Sequence, residues 1–371
     1  MDMTEQTSNK IANMGFVCAL FVVFIHSGSL EDIRSISGAV HFFLKHILGQ
    51  IAVPFFFVIS GFFLARRSNE AGWWPRALSS RARSLVIPYV FWSLTMIVLV
   101  RLIFPIVSGR EVELSRGLGQ ALGVNPLIFP LNGALWYVRA LVMFIVVSPL
   151  IIWAVEKHFG VSLLIVFALC FLFHPWIGSL DFPGFWLAAR WRQFWQIGFP
   201  IQGLLYFMVG AYLSKHPVSM ERPVAGLSLL LGLGLGCVRT LLALRGITDY
   251  GYLMPFILPL TLIGVWHVIP STKWKNWIVM SSFPIYVMHA VFLVIIVFCR
   301  NHFANGDAVK SIATVLSNWF LSVIGCFLTS LLICRLMPRV ARIIYGGRVP
   351  ICGDMDVRGM RKPPATCNIS A

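Results

Sequence analysis

Gly15-Phe-Val-Cys-Ala-Leu-Phe-Val-Val-Phe-Ile-His26-Ser-Gly28 decides the fold. With its flanks this apolar run is long enough to cross a bilayer, and it carries an imidazole near its far end. An ionisable ring at such a depth carries a desolvation cost, so His26 is a candidate functional residue. The plainer alternative is a helix-end histidine hydrogen-bonded within the headgroup zone.

The rest of the chain repeats the signal. Hydrophobic residues make up 58% of 371 positions and charged residues 12%, with 30 Phe and 13 Trp, more apolar side chain than a soluble core absorbs. This predicts an all-α, polytopic transmembrane helical bundle. The net charge of +16 would suggest nucleic acid in a soluble chain. Here the basic residues cluster between apolar runs, where they set topology and meet lipid or an anionic ligand, so no nucleic-acid partner is expected. The eight cysteines lie mostly inside apolar runs, with no CxxC and no Cys/His metal spacing, so neither a disulfide framework nor a metal site is expected. Residues 11–29 also have the shape of a secretory signal, but the many later spans and His26 make them the first span.

A window of about 20 residues per crossing gives ten spans. They run over 11–29, 47–65, 84–107, 134–155, 161–178, 197–214, 224–244, 251–270, 276–299 and 312–337. The Trp-rich piece 185–196 suits the interface as well as a crossing. With the N-terminus inside, more of the Lys and Arg fall on the cytoplasmic side, which favours both termini there. On that count Arg66, Arg67, Arg76, Arg81 and Arg83 are cytoplasmic, Lys45 lies on the opposite face, and the polar tail 346–371 extends into the cytoplasm without a core of its own.

Four constellations carry the candidate chemistry. Beside His26 stands the second span, in which Pro54 and Gly61 permit a kink and a close helix approach, expected toward the first span, and Ser60 can bond across to a neighbour. Arg66 and Arg67 close it, and with Arg83 they offer guanidinium forks suited to phosphate, although topology and lipid contact alone would also account for them. In Leu135-Trp-Tyr-Val-Arg139, Arg139 is a cation inside a span, either snorkelling to the near interface or neutralising a bound charge or oxyanion. In Ser282-Phe-Pro-Ile-Tyr286-Val-Met-His289 a phenol and an imidazole share one helix face. The other seven histidines, His41 and His46 among them, lie near span ends or in loops and read as solvated.

These stretches carry a resemblance. Val22-Val-Phe-Ile-His26, Pro54-Phe-Phe-Phe-Val-Ile-Ser60-Gly61 with Arg66-Arg67, Arg83-Ser-Leu-Val-Ile-Pro88-Tyr-Val-Phe-Trp92, Leu135-Trp136-Tyr-Val-Arg139 and Ser282-Phe-Pro-Ile-Tyr286-Val-Met-His289 follow one another in an order that resembles the integral-membrane acyltransferase-3 family. The family O-acylates sugars of bacterial polysaccharides and glycolipids. The resemblance implies a transmembrane acyltransferase domain over 1–345, in the bacterial inner (plasma) membrane. It implies acyl transfer from acyl-CoA, usually acetyl-CoA, to a sugar or glycolipid hydroxyl, with membrane lipid as a further partner. Carried over by position, His26 matches the family's essential histidine, and Arg66 and Arg67 match its donor-side pair. One departure stands out: Gly15 occupies the position eleven residues before His26 where the family has Arg or Lys. Either another arginine such as Arg139 takes that role, or the donor is bound differently, or the protein is impaired.

The residues suit that chemistry. A sugar hydroxyl needs a base to attack a thioester, and His26 is the candidate. Arg139, or the wall formed by Tyr286 and His289, is the candidate for oxyanion stabilisation and acceptor contact, together with Ser60. An acyl-His relay is an open variant. The rival class is a proton-coupled transporter or glycolipid flippase, with His26, His289 and Arg139 along a permeation path; the absence of visible repeats and of carboxylates within the spans weighs against it.

Overall fold

The computed structural model describes residues 4–28, 34–109, 130–172, 187–217, 221–247, 253–303 and 311–349, and only the backbone at 171–172 and 187–199. Its first helix, α1 (Glu5–His26), starts where Thr4 accepts a hydrogen bond from the Thr7 amide at 3.2 Å, with Glu5 beside the positive end of the helix dipole. It stops at Ser27, whose hydroxyl donates back to the Val23 carbonyl at 2.7 Å. Among the described residues ten more helices of seven residues or longer follow: α2 (Ile36–Ala65), α3 (Trp73–Val107), α4 (Gly133–Val146), α5 (Ser148–Leu172), α6 (Leu187–Lys215), α7 (Arg222–Leu244), α8 (Met254–Val268), α9 (Ser282–Phe303), α10 (Ile312–Leu336) and α11 (Pro338–Ile344). Among the described residues there is no strand, and seven helices are long and apolar enough to cross a membrane, with α4 and α8 apolar but shorter. The protein is a helical, multi-pass membrane bundle. On α10 the exposed residues Leu316, Phe320, Ile324, Leu328, Leu332 and Leu336 recur every four positions, an apolar stripe suited to a lipid surround.

Several boundaries differ from the sequence expectation. The second helix begins at Ile36 instead of 47, because Ser35 caps it by accepting from the Gly38 amide at 3.0 Å, and the chain stays helical through a π-helical turn at Leu44–Leu48. Lys45 and His46 therefore lie within the helix. The expected span 134–155 is two helices, parted at Val147. Pro149 supplies no amide hydrogen and suits the first turn of a new helix. The second of these helices kinks again at His158 (φ −142°, ψ 39°). α6 is helical from Leu187, although the interfacial Trp-rich piece expected at 185–196 falls outside the described side chains.

α1 lies at the centre and is tied at both ends. Asn13 donates from Nδ2 to the carbonyls of Pro270 and Thr272, each at 2.9 Å, Trp319 Nε1 donates to the Leu20 carbonyl at 3.1 Å, and Asn318 Nδ2 donates to the Ser27 carbonyl at 2.9 Å. Thirteen residues separate Asn13 from His26, about 20 Å of helical rise, which sets the imidazole at the far end of α1 from the Asn13 anchor. The close approach foreseen at Gly61 is to α6 rather than α1. A Cβ at Gly61 would strike the Phe207 carbonyl and one at Gly210 would strike the Val58 carbonyl, so the two backbones touch through reciprocal glycines.

Candidate active site

Two imidazoles meet where α1 ends against the first half of α9. The rings of His26 and His289 lie with centroids 5.3 Å apart. His289 has no exposed surface, and its Nδ1 stands 2.7 Å from the Tyr286 carbonyl. A carbonyl only accepts, so Nδ1 carries the hydrogen, and in the neutral ring Nε2 holds the lone pair. That Nε2 is buried without a hydrogen-bond partner. Ser322 on α10 donates to the His289 carbonyl at 3.3 Å and fixes the backbone behind it. His26 differs in being accessible, although Val22, Val23, Phe24 and Ser27 around it are buried. Its ring lies beside His289 and within electrostatic range of the Lys45 ammonium.

Tyrosines extend the pair into a column of rings. Tyr286 lies 6.1 Å from His289 and 6.0 Å from Tyr137, and Phe283 lies 6.3 Å from Tyr286. Both phenols are engaged: Tyr286 donates to the Ala134 carbonyl at 2.6 Å, and Tyr137 donates to the Phe56 carbonyl at 3.2 Å. Having given its hydrogen to Phe56, the Tyr137 oxygen accepts from the Ser60 hydroxyl at 3.1 Å. Ser60 thus joins the column through Tyr137, while Tyr286 has no second hydrogen to offer an oxyanion.

The cations divide between the two ends. Lys45, in the π-helical turn of α2, donates from Nζ to the Gly28 carbonyl at 2.7 Å, two residues beyond His26. π-turns often mark functional positions, and here the extra residue belongs to the turn that carries the ammonium. Arg139 stands beside Tyr89 of α3. Two residues from Tyr137 on the same helix, it points to a different face from the column. Arg66 lies over the Phe62 ring at 5.8 Å, Arg67 is exposed, and Arg83 is exposed with its guanidinium 3.5 Å from both the Ser79 carbonyl and hydroxyl. Arg81, near both Arg67 and Tyr137, links this rim to the column.

A family model described as an acyltransferase domain matches residues 13–336. The chain belongs to the acyltransferase-3 family. No curated protein and no solved structure matches it. Membership makes the protein a membrane acyltransferase and displaces the transporter and flippase readings. Within this acyltransferase the structure brings His26, His289 and Tyr286 together, joins Ser60 to them through Tyr137, leaves Arg139 by Tyr89, and sets Arg66, Arg67 and Arg83 at the rim. Lys45 escaped the sequence reading because the helix start was set two residues after it. His41, taken as solvated, is buried, with its ring 5.8 Å from Phe24.

Proposed function

We propose that this acyltransferase moves an acyl group, acetyl in the first instance, from acyl-CoA to a hydroxyl of a surface polysaccharide or glycolipid sugar. The observation that supports this most is the accessible His26 ring held 5.3 Å from a buried, backbone-fixed His289. His26 takes the hydroxyl proton as the new C–O bond forms at the thioester carbonyl. The tetrahedral oxyanion collapses, the C–S bond breaks, and the CoA thiolate leaves and recovers the proton from His26. The buried Nε2 of His289, which has no hydrogen-bond partner among the described residues, accepts a hydrogen from the other nitrogen of His26 once the acceptor is bound and so orients the base, as the third group of a triad does. Two cations are candidates for the oxyanion. Lys45, beside His26, has the better position, and Arg139, beside Tyr89, is the second.

Arg66, Arg67 and Arg83 seat the donor phosphates at the cytoplasmic rim. That orientation rests on the excess of Lys and Arg on one side, which favours both termini in the cytoplasm, and the family's location makes the membrane the bacterial inner membrane. The test is direct. Purified protein in detergent, given acetyl-CoA and sugar chains extracted from the cell envelope, is expected to release free thiol and to add the mass of one acetyl group per modified sugar. Acyl-CoA consumption that does not depend on the sugar, or none at all, would sink the proposal.

A further inference from the structure

The segment after α10 lies beyond the family match, which ends at residue 336, yet it is built into the bundle. Trp92 Nε1 on α3 donates to the Ile344 carbonyl at 3.1 Å, and its ring stacks on Tyr345 at 6.3 Å. Tyr345 is fully buried and points its hydroxyl at the Met288 sulfur, 3.4 Å away on α9 and one residue from His289. Gly346 follows with φ +59°, packed so tightly on Ser84 that a Cβ would strike the Ser84 carbonyl. Only a glycine meets both demands. These contacts fix the path of the next residues, and they deliver Arg348 to the column.

Arg348 is half-buried, with its guanidinium 4.3 Å from the Phe283 ring and Nη1 3.4 Å from the Ser84 carbonyl. Ser84 lies three residues after Arg81, so the two guanidiniums approach the same helical turn, and both stand within electrostatic range of Tyr137. Among the described residues the ion pairs are Arg76 with Glu70 and Lys215 with Glu156, and neither Arg81 nor Arg348 has a carboxylate partner. Burial, and then Arg81, push the Arg348 guanidinium down to about 10, which still leaves it charged at neutral pH. Two cations brought together without an acid repel each other and suit an anion between them.

We propose that Arg348, carried in by the C-terminal strap, pairs with Arg81 to bind a phosphate group of the acyl donor at the mouth of the ring column. The inference rests on the acyl-CoA reading above and names a donor-binding residue outside the segment that the family shares. Its position suits the donor's shape. Phe283, under Arg348, and His289 are six residues apart on α9, about 9 Å of rise, a gap that the pantetheine arm can bridge between a phosphate at the rim and a thioester at His26.

The experiment compares two donors, acetyl-CoA and the phosphate-free thioester S-acetyl-N-acetylcysteamine, in the full-length protein. Arg348→Met keeps the apolar stem over Phe283 and removes the charge. It is expected to raise the KM for acetyl-CoA about tenfold, the loss of one charge-assisted contact, and to leave the KM for the phosphate-free thioester unchanged. Arg348→Lys keeps the charge without the fork and should fall between. If the methionine variant does not fold, the lysine variant carries the same comparison. Equal losses on both donors would make the role structural and overturn the proposal, and so would no change on either. Wild-type protein that transfers acetyl from neither donor would overturn the acyl-CoA reading, and this one with it.

Discussion

The ring column and the arginine rim are held in opposite ways. In the column each ring has one polar atom tied to main chain: His289 Nδ1 to the Tyr286 carbonyl, Tyr286 to Ala134 and Tyr137 to Phe56. At the rim Arg67 and Arg83 are exposed, and the Arg76–Glu70 ion pair beside them has more than half of each side chain in the open (62% and 56%). Proton transfer requires heavy atoms within hydrogen-bond reach, so the column has to be rigid. Attraction of a polyanion acts over a longer range and tolerates moving side chains. Substitutions in the column should therefore fall on kcat and those at the rim on KM for the donor.

The largest break in that comparison is His26→Ala. Losing the base is expected to abolish acetylation, by a hundredfold or about ten-thousandfold at the extremes for such a group, while membrane abundance stays normal. Retained turnover in the same detergent assay would end the general-base assignment. Lys45→Met should come next. If its ammonium meets the oxyanion, kcat drops about a hundredfold, whereas Arg139→Met leaves most of the rate. The reverse order would return the role to Arg139. His289→Leu sharpens the column further: with the orienting nitrogen gone, kcat should fall about tenfold at unchanged donor KM. A shift in KM alone would mean that His289 touches the donor instead.

Much of this was legible in the sequence, and the reasons differ by residue. His26, Tyr286 and His289 were visible because a titratable ring inside an apolar run is costly, and because a spacing of three puts two side chains on one helix face. Lys45 was not, since a lysine near the end of an apolar run reads equally as a loop charge. Deciding between them needed the Ser35 cap and the π-helical turn, which no hydropathy window detects. Arg348 was hidden for a related reason. Gly346-Gly347 resembles the start of a loose tail, and only the pocket that Ser84 offers to Gly346 turns it into a strap. The break at Val147 was missed, because Ser148-Pro149 sits inside an otherwise unbroken apolar run that reads as one span, although the proline opens a new helix there.

The smallest effect belongs to the Arg66–Arg67 pair. Arg66→Ala combined with Arg67→Ala removes two charges at the rim, Arg67 exposed and Arg66 part-buried over Phe62, where a single ion contact is worth a few tenths to about 1 kcal/mol. The donor KM is therefore expected to rise only about fivefold, less than for Arg348→Met, and the rise should shrink as salt is added because exposed charges are screened. Initial rates over a range of acetyl-CoA concentrations at low and high ionic strength measure both quantities. A salt-independent loss, or one larger than that of Arg348, would mean that the rim closes around the bound donor and excludes water. The division between a rigid column and a loose rim would then hold only for the empty protein.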